Sequence, residues 1–363
     1  MTIFDGPLLE VDLSRVVANY RTLQSHFTGA ECAAVVKANA YGLGAEAIST
    51  ALADAGCQSF FVATLEEGIA LRSMLPDRRI AVFHGVGHGE AMAFLHHRLI
   101  PVLNSPQQIE RWHEVARANP NAPSILHVDS AMARLGLTPS EWAALAAQPD
   151  TIRDCQISLL MSHLACASEP EHPQNASQLA RFESACAAFP TLPCSLANSA
   201  GIFLGAPYHY QLARPGCSLY GITPDSSRPN PVQNVVRLSA PILQIRTLDS
   251  AQSIGYGATI ERPVGSRIAT VAIGYADGIF RCLSNQLSGY VGDLQVPLVG
   301  RVTMDMLSFD VSAVPEGQMS NRIVLIDDRQ DVDAIATLAG TIGYEVFTRL
   351  GRRVRRDYVE MVA

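Results

Sequence analysis

Along residues 12–27, apolar Leu13, Val16, Val17, Tyr20, Leu23 and Phe27 recur every three or four positions, the spacing that lays one apolar stripe on a helix. Asp12 stands where a carboxylate can accept from the first free backbone N–H groups of that helix. The period then changes. CAAVVKANAYG is a short, valine-containing apolar run closed by polar residues and glycine, which predicts a buried strand ending near Lys37. The same cadence repeats in apolar runs at 59–63, 80–84, 100–103, 125–128, 157–163, 194–197 and around Leu212. Helix-like stretches at 65–74, 89–97, 106–118, 140–147 and 175–188 separate most of them. Counting 33–36, eight strands result. Strands apolar throughout and alternating with helices imply a parallel sheet covered on both faces. Eight such repeats over ~220 residues predict an α/β fold, a (β/α)8 TIM-type barrel.

Near SRPNPV (227–232) the cadence breaks, as in a linker. Runs at 236–246, 267–273, 295–299 and 322–326 follow without long helices between them, punctuated by glycine and proline. They predict a mostly antiparallel β domain, with one short helix at 332–338. The expected division is a barrel over 1–232, whose first ten residues pair with the second domain, and a β domain over 233–363.

A 48% apolar and 17% charged composition suits a well-cored globular chain. The net charge of -7 argues against a general nucleic-acid binder. The basic cluster Arg349, Arg352, Arg353, Arg355 and Arg356 reads as an ion-paired strand end. MTIFDGPLLEVDL has neither the basic start nor the apolar stretch of a signal peptide, and no segment approaches the ~20 apolar residues of a membrane span. Eight cysteines without a C-x-x-C pair point to reduced thiols in a cytoplasm, with no metal site.

Lys37 is the first candidate for chemistry. An ammonium after four apolar residues is expensive to bury. Either the side chain snorkels out of the strand end, or a Schiff base to an aldehyde cofactor removes its charge. NSAG (198–201) and RPGCSLYG (214–221) follow the seventh and eighth strands, where barrels commonly bind phosphate. Gly216 would let backbone N–H groups approach an anion closely, although a glycine also suits an ordinary tight turn.

AVVKANAYGLG, HVDSAMARLG, ANSAG, RPGCSLYG, IGYGAT, IGYADG and GRVTMDM occur in this order from Ala34 to Met306. Together they resemble the alanine racemase family, as does the tail GTIGYEVFTRLGRRV. The resemblance implies pyridoxal 5'-phosphate (PLP) on Lys37, with Tyr41, Ser199, Gly216 and Cys217 at its phosphate. It places Arg214 at the pyridine nitrogen and His163 in a hydrogen bond to that arginine. Arg134 and the Met304 N–H would orient the substrate carboxylate, and Tyr256 would be the base opposite Lys37. In the family lysine takes the proton of D-alanine and tyrosine that of L-alanine. Tyr256, Tyr275, Met304 and Asp305 come from a neighbouring subunit there, so a homodimer is implied. The implied product is D-alanine for peptidoglycan.

Two positions depart from the pattern. His127 replaces a lysine that many members carbamylate to support the arginine here numbered Arg134, and Arg352 replaces a phosphate-contacting tyrosine. The chemistry suits the residue types. Removing Cα–H needs the electron delocalisation PLP provides, and inversion needs a base on each face. A phenol accepts a proton only as phenolate, which cations such as Arg134 would stabilise. Arg214 donates only, so the pyridine nitrogen opposite should stay unprotonated. Three alternatives share the architecture in part. A decarboxylase would carry glutamate where Arg214 stands, a PLP carrier would lack the second domain, and a broad-specificity racemase differs in pocket size alone.

Overall fold

The structure, a computed structural model, describes residues 6–359. The chain divides into two compact units. One is Val16–Gln233; the other joins the N-terminal residues through Arg15 to the chain from Asn234 onward.

The Val16–Gln233 unit is an α/β barrel. Seven strands hydrogen-bond in chain order: Ala34–Val35, Ser59–Val62, Arg79–Val82, Ile100–Leu103, Ser124–His127, Ile157–Met161 and Cys194–Ser195. The eighth, Leu212–Ala213, closes the ring by pairing in parallel with Glu31–Cys32, the leading half of the first strand. On its other side, Arg214 N–H donates to the Ala197 carbonyl at 2.9 Å. Phe60, Ile80, Val82, Val102, Leu126 and Leu160 have no exposed surface, and each such burial contributes roughly 1.5–3 kcal/mol. Turns leading from strands into helices are set by caps. Thr64 and Glu67 form a reciprocal capping box at Leu65–Met74, and Thr138 and Glu141 form another at Pro139–Ala146. These turns build the C-terminal mouth, where barrels place their chemistry.

The second unit is mainly β. Its sheet runs Leu294–Pro297, Ser288–Val291, Arg322–Ile326, Val236–Thr247, Leu8–Asp12 and Arg355–Val359. Arg267–Val271 pairs with the far half of the long strand, and Leu307–Asp310 pairs with Arg267–Val271. Leu8–Asp12 lies antiparallel to one neighbour and parallel to the other. Asp12, placed as a cap by the pattern, does accept the Arg15 N–H at 3.1 Å. The apolar run at 295–299 predicts a single strand. The structure has a hairpin of Ser288–Val291 and Leu294–Pro297 there, turning at Gly292 with φ +56°. Helix Gly343–Arg349 also escapes the pattern, because only Gly343, Val346 and Phe347 are buried in it.

The C-terminal arginines are largely partnered. Arg349 meets Glu345 at 3.0 Å, Arg353 meets Asp277 and Asp305 at 2.7 Å, and Arg355 pairs with Asp357. Arg356 donates to the carbonyls of Leu350, Gly351 and Val354. Among the described residues, no helix is long and apolar enough to cross a membrane.

Candidate active site

Val36 follows the first barrel strand and Lys37 opens a five-residue turn, Lys37–Tyr41. The turn is left-handed, with φ of +53, +55, +51 and +57° at Ala38, Asn39, Ala40 and Tyr41. L-residues resist this by roughly 1–2 kcal/mol each, so neighbours must hold the conformation. Glu67 does so from the next strand–helix turn. Its Oε1 accepts the Ala38 N–H at 2.7 Å and its Oε2 the Ala63 N–H at 2.8 Å. Tyr220 Oη donates to the Val35 carbonyl at 2.8 Å, fixing the strand before the lysine. Lys37 is half-buried, with Nζ 5.8 Å from the Phe83 ring centroid. Burial first, and the Arg134 charge second, lower its pKa from the ordinary amine value, while Glu67 opposes them. A partly desolvated amine near a guanidinium is more often neutral, hence nucleophilic.

After the seventh strand, Asn198 caps helix Ser199–Phe203 by accepting the Gly201 N–H at 2.8 Å. Ser199 Oγ accepts from Gly216 N–H at 2.9 Å and Ser218 N–H at 3.3 Å. Its own hydroxyl hydrogen goes to no described group and is left for an incoming oxygen, as an anion site requires. Gly216 is sterically required. A Cβ there would lie 2.4 Å from Tyr41 Oη, so glycine lets that phenol reach the same backbone. Cys217 follows, buried, at the start of a short 3-10 helix.

Arg214 is only 3% exposed. One terminal nitrogen donates to Ser195 Oγ, the other to the Ser162 carbonyl, and Nε has no partner among the described residues. Burial lowers its pKa to about 9, leaving it charged at neutral pH. A buried N–H without an acceptor is rare and costly, and a ring nitrogen with a lone pair fits it. The expected His163–Arg214 bond is not made. The Ser162 carbonyl, one residue earlier on the chain, takes the guanidinium N–H instead. His163 is half-buried beside it and neutral, its pKa held well below the ordinary value by desolvation and then by the charges of Arg214 and Arg134.

His127 is buried, and its Nδ1 lies 2.7 Å from Asn104 Oδ1. Asn104 Nδ2 donates to the carbonyls of Phe83 and Val102, both at 2.9 Å, which identifies the facing atom as the oxygen. Nδ1 therefore carries the hydrogen, and Nε2 is left as an acceptor. Burial, then Arg214 and Arg134, push the imidazole down to about 3. Arg134 is exposed on the following loop, whose shape Asp129 sets by accepting the N–H groups of Ala131, Met132 and Ala133.

Tyr256, Tyr275, Met304 and Asp305 lie in the β unit, brought together by the 301–306 strip. Gly255 and Gly257 flank Tyr256 with φ of +70 and +74°, and a Cβ on Gly257 would sit 2.8 Å from the Arg301 guanidinium carbon. Tyr275 N–H donates to the Thr303 carbonyl at 2.9 Å, and Ala276 N–H to the Met304 carbonyl at 3.0 Å. Arg353 bridges Asp305 and Asp277, and Asp277 Oδ2 accepts the Gly274 N–H at 2.8 Å. Tyr256, Met304 and Tyr275 stand 73, 53 and 43% exposed. Arg352 is exposed as well.

Motif reading passes over the residues that hold these groups: Glu67, Asn104, Asp129 and Ser195. Glu67 leaves a signal, the T-x-x-E capping pattern. The others act through contacts between distant strands or within a loop, which no local pattern marks.

Comparison with known proteins agrees with the geometry. The profile of the alanine racemase N-terminal domain matches residues 11–224, and that of the C-terminal domain residues 235–358. An alanine racemase of Rhodospirillum rubrum is 50% identical over 97% of this chain and 95% of its own length. A protein of Agrobacterium fabrum named as a catabolic alanine racemase is 43% identical over 97% and 92%. The crystal structure of alanine racemase from Bartonella henselae with covalently bound pyridoxal phosphate superposes with a TM-score of 0.91 at 39% identity, covering 98% of this chain and 99% of that one. With both domain profiles matched and relatives this similar along nearly its whole length, the chain belongs to the alanine racemase family.

Proposed function

We propose that this protein racemises alanine with PLP carried on Lys37, using Lys37 and Tyr256 as bases on opposite faces of the substrate. The observation that carries the reading is the buried, charged Arg214 with its unpartnered Nε, in the same barrel mouth as a half-buried lysine and the free Ser199 hydroxyl. That set fits a pyridine nitrogen, an aldehyde and a phosphate. When bound, PLP delocalises the electrons left as Cα loses its proton.

The protein's own groups do the rest. The Lys37 amine, its pKa lowered by burial and Arg134, takes or returns the proton on one face, and the Tyr256 hydroxyl does so on the other. Arg134 and the Met304 N–H orient the substrate carboxylate. Arg214 can only donate, so it holds the pyridine nitrogen unprotonated, which restrains electron withdrawal and side reactions such as transamination. Ser199, Tyr41, Gly216 and Cys217 hold the phosphate, and His163 packs neutral beside Arg214.

We further propose a homodimer in which Tyr256, Tyr275, Met304 and Asp305 of one subunit complete the Lys37 site of the other. Two exposed tyrosines and a methionine on adjoining loops support a partner-facing surface. The physiological role proposed is D-alanine supply for peptidoglycan in the cytoplasm. The catabolic name of the Agrobacterium fabrum relative supports a second role, in the catabolism of alanine.

Lys37→Ala tests the core of the reading. The variant is expected to lose both the visible absorbance of the bound cofactor and racemisation, while remaining folded by circular dichroism. Retained absorbance with unchanged turnover would refute the role of Lys37.

A further inference from the structure

Cys186, near the end of helix Pro173–Ala188, and Cys194, at the start of the seventh barrel strand, face each other with their sulfurs 3.1 Å apart. Both are free thiols. A disulfide bond measures about 2.0 Å, so roughly 1 Å of approach would close one. The connecting loop is short and contains Pro190 and Pro193, which holds its ends near each other before any bond forms. Cys186 is half-buried, giving a small oxidant a route to the pair. The hydrogen bond between the sulfurs lowers the pKa of Cys194 and raises that of Cys186, so Cys194 is the readier of the two to lose its proton. Elsewhere in the barrel, burial raises the thiols of Cys32, Cys57 and Cys155, which disfavours reaction.

The location gives the pair a consequence. Cys194 adjoins Ser195, whose Oγ accepts from Arg214 and donates to the Leu212 carbonyl at 2.6 Å. Four residues beyond Ser195 comes Ser199, which gathers the Gly216 and Ser218 N–H groups. We propose that Cys186 and Cys194 are a dithiol modification site which hydroperoxides convert to a disulfide, and that closing it displaces the Ser195 strand and lowers turnover through Arg214. The coupling to turnover rests on the role given to Arg214 above; the formation of the disulfide does not.

With hydrogen peroxide the chemistry balances. The Cys194 thiolate attacks one peroxide oxygen and the O–O bond breaks, leaving a sulfenic acid and, after one proton is taken up, water. The Cys186 sulfur then attacks the sulfenic sulfur. The S–O bond breaks, an S–S bond forms, and the hydroxyl leaves with the Cys186 proton as a second water. Two electrons pass from the thiols to the peroxide.

The holoenzyme is treated with hydrogen peroxide, denatured, alkylated and digested with trypsin. Residues 182–237 form one peptide with three cysteines, Cys186, Cys194 and Cys217, because its internal arginines, Arg214 and Arg228, each precede proline. We expect it to lose two of three labels and to weigh two hydrogens less, while turnover falls and dithiothreitol restores both. Cys186→Ser should keep its turnover under the same treatment. Three labels retained at a dose that oxidises the exposed Cys282 would overturn the site. Two labels lost with turnover unchanged, or an equal fall in Cys186→Ser, would overturn the coupling and leave the disulfide standing.

Discussion

The side chains around Lys37 owe their properties to desolvation more than to pairing. Arg214 and His127 are both buried, and they resolve this differently: the guanidinium stays charged and the imidazole, beside the Arg214 and Arg134 charges, goes neutral. For His127 the sign follows directly. Its folded pKa of about 3 lies below the ordinary 6.5, so the unfolded chain takes up the proton first as pH falls. The stability it contributes is complete above about pH 6.5 and is lost as pH falls through about 3, to the extent of at most a few kcal/mol. The denaturant midpoint of the wild type should therefore fall more steeply from pH 6.5 to about 4 than that of His127→Gln. Parallel curves would mean the ring is not held neutral. Tyr256→Phe isolates the second base. Net racemisation should fall by about 10²–10⁴-fold, the range general acid–base groups contribute, while α-hydrogen exchange with deuterium continues for D-alanine and stops for L-alanine. Equal exchange of both enantiomers would reject the assignment. At this scale the motifs made residue types legible but not hydrogen-bond partners. Arg214 was readable as a charged donor, whereas the carbonyl of Ser162 displacing His163 depends on how two strands face each other.

Elements were legible wherever period alone decides them. The apolar runs marked all eight barrel strands, since a strand buried on both faces leaves a continuous signal. Handedness inside the turn after Lys37 was not legible, because Ala38, Asn39 and Ala40 carry no glycine to announce a positive φ. The turn is imposed from outside, chiefly by the Glu67 carboxylate. Ala38 is exposed, and exposed positions ordinarily change stability little. Here Ala38→Val should lower the melting temperature of the holoenzyme clearly, whereas Ala38→Gly should leave it level or raise it, because glycine escapes a penalty of about 1 kcal/mol or more. Equal melting of the two variants would show that the mirror turn is not strained.

For the whole molecule, the change of cadence near Arg228 marked where barrel pattern ends, and the two compact units meet along the chain at Gln233 and Asn234. Subunit sharing had no period to read; it came from resemblance and gains support only from the exposure of Tyr256, Tyr275 and Met304. Mixing inactive Lys37→Ala and Tyr256→Phe proteins tests it. Each mixed dimer would hold one site with both bases and one with neither, so activity should return toward about half the wild-type rate per mixed dimer. Heterodimers shown to form, for example by two affinity tags, yet remaining inactive would reject the shared site. The sheet of the β unit carries a different consequence, one of timing. Leu8–Asp12 leaves the ribosome long before either of its neighbours, which lie far downstream, at Val236 and beyond and at Arg355–Val359. At synthesis rates of roughly 5–20 residues per second it waits on the order of 10–45 s for the first of them. Leu9 and Val11, with no exposed surface once the sheet forms, stay uncovered throughout that interval. A chain interrupted before Arg355 would keep that strand as an open edge, the kind of surface by which chaperones and proteases recognise unfinished protein.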